Sequence, residues 1–458
     1  MLKATDPSNG KVIREVQTLE ADQVERLLST GQQAFQEWRQ TTFAERASVL
    51  RDVARLMHED IDRLAMLMTE EMGKPVKEAH GEVKKAAWCA EHYADHAEQY
   101  LATETITSDA SHSYVRYEPL GVILGILPWN APFWLAFRYG APTLMAGNTC
   151  IMKHDPHVPG CAEAIAELFE RVNAPAGIFQ NLPLQTPEVE AVIRDERIRA
   201  VSFTGSERGG AAVSSIAASE IKHSVLELGG SDPAIVLADA DLEQAADTLV
   251  LSRIINAGQS CIAAKRLIIE APVYDKMLDM LKERFARLKL GDPREESTDV
   301  GPMARDDLRA ELHKLVTDSI KAGARCLLGG EIPDGPGNYY PVTLLADVTT
   351  DMPVACEETF GPVGVVMKAR DADDALLLAN NSRYGLGAAV WTADAQRGEA
   401  MAKQLEAGQV SVNGIVKTDP RLPSGGIKRS GFGRELGPHG IREFVNAKQI
   451  WVGPKQGD

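Results

Sequence analysis

Short apolar runs without internal alternation recur along the chain, each followed by a helical segment, and they come in two successive series. The first contains Val122–Leu127, Thr149–Lys153, Ile178–Leu184, Ala200–Thr204 and Ser224–Leu228. The second contains Ala234–Leu237, Lys265–Ile269, Cys326–Leu328, Gly364–Met367, Ala388–Trp391 and Val410–Val412. A strand that is apolar on both faces needs cover on both, and the intervening helices supply it. The pattern predicts an α/β fold with two parallel sheets sharing a cleft.

The flanks read differently. Thr42 and Glu45 have capping-box spacing ahead of a helical stripe from Val49 to Met68, which Gly73 and Pro75 end. A second helix is expected from about Val76 to Leu101. The stretch from Glu104 to Pro119 is rich in β-branched and polar residues and reads as a hairpin, and Phe444–Val452 reads as a last strand.

At 458 residues the chain is long enough for two or three domains. Its 65 acidic residues against 49 basic ones, a net charge of -16, argue against a nucleic-acid partner, because phosphate-backbone binding needs clustered cations. No run approaches the roughly 18 apolar residues of a membrane span, and the N-terminus lacks a signal-like apolar segment. The six cysteines form no CxxC pair, so reduced thiols in the cytoplasm are expected.

Four spots have chemical potential. Phe203-Thr204-Gly205-Ser206 joins a strand to a helix, where backbone amides and a helix N-terminus suit a pyrophosphate; a plain serine-capped turn would look the same. No GxGxxG follows any strand. Cys261 closes Asn256-Ala-Gly-Gln-Ser-Cys261, a small-residue turn that can leave a thiol accessible, although an inert core cysteine is the commoner case. Glu227 ends an apolar run, where a carboxylate is either salt-bridged or has the raised pKa of a general base. Asn130, in Ile126-Leu127-Pro128-Trp129-Asn130, stands at the carboxyl edge of a parallel sheet, as an oxyanion donor or a helix cap.

Together with Glu358-Thr-Phe360-Gly-Pro362, Gly425-Gly-Ile-Lys428 and Ser430-Gly-Phe-Gly-Arg434-Glu435, these segments appear in the order seen in aldehyde dehydrogenases, and the chain resembles that superfamily over nearly its whole length. The resemblance implies a variant Rossmann cofactor domain (1–103 and 120–229), a catalytic domain (230–430) and oligomerisation strands (104–119 and 444–458). It implies Cys261 as the nucleophile, Asn130 as the oxyanion donor and Glu227 as the base that hydrolyses the thioester. For NAD or NADP it implies Ile126, Pro128, Trp129, Lys153, Pro156, Gly205, Ser206, Leu228, Glu358 and Phe360. Lys153 would meet the adenosine ribose, Glu358 the nicotinamide ribose, and Phe360 would flank the nicotinamide. Pro156 stands where a glutamate would repel a 2′-phosphate and a small polar residue would admit it. It does neither, so use of both coenzymes is expected.

Within the superfamily the likeness is to succinate-semialdehyde dehydrogenases, carried by Gln259–Arg266 and Asn413–Pro423. Arg138 and Thr418 would then receive the distal carboxylate of succinic semialdehyde. Ile255 replaces a second arginine common in these enzymes, Ala263 a second cysteine, and Ser424 a common phenylalanine. The alternatives are a broad-specificity aldehyde dehydrogenase, a CoA-acylating enzyme, and a non-catalytic protein on the same fold. A homodimer or homotetramer is expected from the strand edges. The pair His92 and His96, the Lys84-Lys85 pair and Glu295-Glu296 read as solvated surface.

Overall fold

The structure, a computed structural model, describes residues 1–454. The remaining four residues of the expected oligomerisation segment lie outside the described residues.

The first apolar series forms one sheet of six strands in the order Gly431–Phe432, His223–Glu227, Ile198–Thr204, Val122–Leu127, Thr149–His154 and Phe179–Asn181. All neighbours are parallel except the short strand at 431–432, which returns from the far end of the chain to lie antiparallel on His223–Glu227. The second series forms a sheet of seven, from Arg325–Leu328 through Thr343–Ala346, Val363–Ala369, Arg266–Glu270, Pro233–Val236 and Gly387–Trp391 to Gln409–Val412. Only its edge strand Arg325–Leu328 is antiparallel. Val122, Ile123 and Leu124 are all buried, as are Leu267, Ile268 and Ile269, so both faces of these strands are covered. That explains the unbroken apolar runs.

The long helical stripe departs from expectation. It is two helices, Phe43–Glu59 and Ile61–Met72, broken at Asp60. The Asp60 carboxylate accepts from Arg63 and from Arg171 at 2.7 Å, which anchors the break to a distant part of the chain. Thr42 caps the first helix as its spacing predicts, and Gly73 ends the second with a left-handed φ of 79°. Two strands not anticipated, Leu2–Thr5 and Val12–Val16, form an N-terminal hairpin. Val12 and Ile13 are exposed there, so no apolar face marks that strand.

Ala110–Pro119 pairs with Val445–Pro454 and with the two-residue strand Glu104–Thr105 in a separate antiparallel sheet. Among the described residues no helix is long and apolar enough to cross a membrane, and no group of side chains suits a metal ion. His92 is buried rather than solvated; it bonds the Tyr100 hydroxyl at 3.1 Å and stacks on His96.

Candidate active site

Four neighbouring strands of the six-stranded sheet bring their carboxyl ends to one edge. Val122–Leu127 leads into Asn130, Thr149–His154 carries Lys153, Ile198–Thr204 leads into Gly205 and Ser206, and His223–Glu227 ends on Glu227. The register sets Ile126 beside both Lys153 and Phe203, and Thr204 beside Glu227. Crevices at this edge are where open α/β sheets take ligands.

Cys261 comes from the other sheet, on the turn just before Arg266–Glu270, and is partly exposed. The chain reaches it through Asn256, Ala257 and Gly258, all left-handed, with φ of 56°, 53° and 74°. Such a run is costly for residues with a Cβ and persists only where its surroundings enforce it. Here they do. Glu78 accepts the Asn256 N–H at 2.7 Å, the buried Arg253 donates to the Gly258 carbonyl at 2.6 Å, and Gln259 links Asn256 to Ala304. A Cβ on Gly258 would collide with the Gly361 carbonyl, so this turn is pressed against the Glu358–Pro362 segment.

The Asn130 amide donates to the Gln259 carbonyl at 3.1 Å, which aims it at the turn that carries Cys261. The Asn130 main-chain carbonyl accepts from Lys74 and from the Asn256 side-chain amide, both at 2.9 Å. Lys265, fully buried, donates to the Ser260 and Cys261 carbonyls at 2.9 and 2.6 Å and lies 3.3 Å from Glu358. Burial pushes the Cys261 thiol up to about 12, with Arg138 and Lys265 pulling it down.

Glu227 is buried and faces Arg138, whose guanidinium donates to it at 3.0 Å and also contacts the buried Glu435. Burial, with Glu435 adding to it, raises the Glu227 carboxyl above its ordinary range, and Arg138 opposes the rise. The Arg138 guanidinium is held between these two carboxylates through Nη2 and Nε, while its Nη1 has no protein partner among the described residues. Thr418 is buried, and its hydroxyl accepts from Lys85 at 2.6 Å. Lys85 itself is half-buried, unlike Lys84, and does not belong to the solvated surface.

On the dinucleotide side, Ser206 caps the helix Glu207–Ser219 by accepting from Gly209 at 3.2 Å, and Gly205 donates to the Glu227 carbonyl at 3.0 Å. Lys153 is 4 % exposed yet has no hydrogen-bond or ion-pair partner among the described residues, and burial lowers its pKa. A buried ammonium left without a partner suits the hydroxyls and phosphate of a nucleotide. Leu228 packs with Phe203 and Leu226, with Ile126 against them. Trp129 and Phe360 meet edge to face with centroids 5.8 Å apart. Glu358 accepts the Gly230 N–H at 3.0 Å. Pro128 and Pro156 are partly exposed, and beside Pro156 the Asp155–His157 pair closes at 2.7 Å.

Sequence reasoning notes Arg253 only as an arginine two residues before Ile255, and it gives no role to Asn256, Lys265 or Lys85, nor to Glu435 by itself. For Asn256 and Lys265 the one available signal is a polar or charged residue beside small ones in or near the nucleophile turn. For Lys85 there is none.

The aldehyde dehydrogenase family profile matches residues 1–450. The chain belongs to the aldehyde dehydrogenase family. It is 47% identical over 447 residues to a protein of Synechocystis sp. named a probable NADP(+)-dependent succinate-semialdehyde dehydrogenase, covering 98% of each chain. It is 45% identical to an NADP(+)-dependent succinate-semialdehyde dehydrogenase of Mycobacterium ulcerans, covering 99% of this chain and 100% of the relative. Among solved structures, the succinic semialdehyde dehydrogenase of Streptococcus pyogenes in complex with NADP+ superposes with a TM-score of 0.97 at 34% identity, covering 99% of this chain and 100% of that one. An NAD-dependent aldehyde dehydrogenase of Sinorhizobium meliloti superposes with a TM-score of 0.96 at 34% identity, covering 100% of this chain and 92% of that one.

Proposed function

We propose that this aldehyde dehydrogenase oxidises succinic semialdehyde to succinate with NADP or NAD. The observation that supports the chemistry is the Asn130 amide at the carboxyl edge of the six-stranded sheet, where Glu227 is buried, bonded to the turn from the other sheet that carries Cys261. The Cys261 thiolate adds to the aldehyde carbon, giving a thiohemiacetal whose oxyanion takes the Asn130 amide and the Cys261 N–H. A dinucleotide held at this edge would supply the acceptor for the hydride that this carbon gives up. A thioester then remains on Cys261, and Glu227 removes a proton from the water that hydrolyses it.

Lys153, Gly205 and Ser206 would hold the ribose and pyrophosphate, and Glu358 and Phe360 the nicotinamide end. Ile126, Pro128, Trp129, Pro156 and Leu228 line the same edge. The two sheets with their helices are proposed as cofactor and catalytic domains. The strands at 104–119 and 445–454 are proposed as the contact for a dimer or a dimer of dimers, and the cytoplasm as the compartment.

The substrate rests on the full-length likeness to proteins named for succinic semialdehyde. Steady-state rates for succinic semialdehyde, butanal and benzaldehyde with each coenzyme test it; equal specificity constants for the three aldehydes overturn it. A coenzyme preference above about 100-fold either way overturns dual use. Turnover that requires added CoA overturns hydrolysis by Glu227.

A further inference from the structure

The proposed chemistry needs the Cys261 N–H to face an oxyanion, and Lys265 is placed to hold it there. The Lys265 backbone is fixed where the nucleophile turn enters the strand Arg266–Glu270. The N–H groups of Lys265 and Arg266 both donate to the Asp232 carbonyl, at 3.0 and 3.1 Å. From that base the side chain folds back over its own turn. Its ammonium donates to the Ser260 carbonyl at 2.9 Å and to the Cys261 carbonyl at 2.6 Å. Those carbonyls belong to the two peptide groups that flank the Cys261 α-carbon, so one buried cation holds both planes.

A trans peptide is planar, and its C=O and N–H point to opposite sides. With the Ser260 carbonyl turned onto Lys265, the Cys261 N–H of the same plane points away from the ammonium. That N–H makes no hydrogen bond among the described residues. A charged donor on the carbonyl also polarises the amide and makes its N–H the stronger donor. The Asn130 amide, the other proposed donor, is bonded to the same turn at the Gln259 carbonyl.

A fully buried ammonium needs a counter-charge. Glu358, at 3.3 Å, is the one carboxylate within ion-pair distance of Lys265 among the described residues. Asp232 does not compete for that place, because burial raises its carboxyl to about 7 against the pull of Lys265. Glu358 is itself steadied by the Gly230 N–H at 3.0 Å. At the other end of the turn Arg253 holds the Gly258 carbonyl, so the loop that carries the nucleophile is gripped at both ends.

We infer that Lys265 is a positioning residue, which fixes the Ser260–Cys261 peptide so that the Cys261 N–H donates to the oxyanion formed on the substrate. This rests on the proposed roles of Cys261 and Asn130, and on neither the identity of the aldehyde nor the coenzyme.

The test uses two reagents on the coenzyme-free protein. With p-nitrophenyl acetate the Cys261 thiolate adds to the ester carbon, an oxyanion forms, and the C–O bond to p-nitrophenolate then breaks to leave a thioester. With iodoacetamide the same sulfur displaces iodide, and no oxyanion forms. Acylation is read as the first-turnover release of p-nitrophenolate above that of Cys261→Ala. Alkylation is read by mass spectrometry of the Cys261 peptide, because Cys326 and Cys356 are also accessible. Both reactions use the thiolate, so the ratio of their rates cancels changes in thiol reactivity and reports the oxyanion donors.

Removing one such donor commonly slows reaction about 10²–10³-fold, so Asn130→Ala is expected to lower the ratio strongly and Lys265→Met to lower it about 10-fold or more. A thermal melt certifies each folded variant. If Lys265→Met does not fold, Lys265→Gln, one atom shorter and uncharged, is expected to show the same fall. A ratio within about threefold of the unaltered protein in the folded Lys265 variant overturns the assignment. If Asn130→Ala also leaves the ratio unchanged, or the unaltered protein is not acylated at Cys261, the proposed chemistry itself is overturned, a result distinct from the first.

Discussion

Burial makes the Glu227 carboxylate costly, and the same cost makes it a usable base. Its protonated form is favoured well above the ordinary carboxylate value of about 4.3. Only the ionised form can take a proton from water, so thioester hydrolysis is expected to speed up as pH rises through the raised pKa. Stopped-flow single turnovers at several pH values check this. A hydrolysis rate that is flat from pH 5 to 8 contradicts it. Glu227→Gln is expected to leave the first burst of reduced coenzyme while steady turnover falls by about 10²–10⁴. Arg138 neutralises two buried carboxylates at once, so Arg138→Met is expected to lose about 3–5 kcal/mol of stability, read as a lowered Tm in thermal melts. The triad of residue types at Cys261, Glu227 and Asn130 is legible because its neighbours in sequence are distinctive. Lys85 is not. Its partners, Thr418 and Trp134, lie 333 and 49 positions away, and nothing in Lys84-Lys85 tells which ammonium turns inward.

The turn Asn256–Gly258 depends on Glu78 and Ala304 from distant parts of the chain as well as on its neighbours Arg253 and Gln259, which is why its shape cannot be read locally. Glycine at 258 is visible, but the left-handed φ at Asn256 and Ala257 follows from Glu78, Arg253 and Gln259 acting together. Gly258→Ala should therefore distort the nucleophile turn: the added Cβ collides with the Gly361 carbonyl, and φ is 74°. Turnover is expected to slow by about 10-fold or more, with far-ultraviolet dichroism unchanged; an unaltered rate rules this out. The central strands are readable because burial on both faces leaves a run of apolar residues, and few other arrangements produce one. The break at Asp60 is not, because the stripe of apolar residues continues across it and the arginine that anchors it is at 171. The N-terminal hairpin escapes notice for the opposite reason: Val12 and Ile13 face solvent, so its second strand lacks an inner face to read.

At the scale of the whole molecule, the sheet built from Ala110–Pro119 and Val445–Pro454 is the part that stands least on its own. Its third strand has two residues, so it is in effect a two-stranded ribbon, and such ribbons are marginal in water. Most of Val445–Pro454 is exposed, including Trp451 and Val452, and as an edge strand it presents unpaired backbone groups along ten residues. Natural chains seldom leave so long an edge uncovered. The cover we propose is a second copy of the chain, because a two-fold pairing would let the same edge satisfy itself in both subunits. Placing a charge of one sign in that edge, as Val452→Lys, puts like charges together in every two-fold copy while touching nothing near Cys261. The expected result in sedimentation velocity is a shift toward the single-chain mass, 49.7 kDa, at micromolar concentration. Raising the salt should partly reverse the shift, since screening weakens repulsion between exposed charges. If the unaltered protein already sediments as a single chain, the edge has another cover and the assembly proposed for it is wrong.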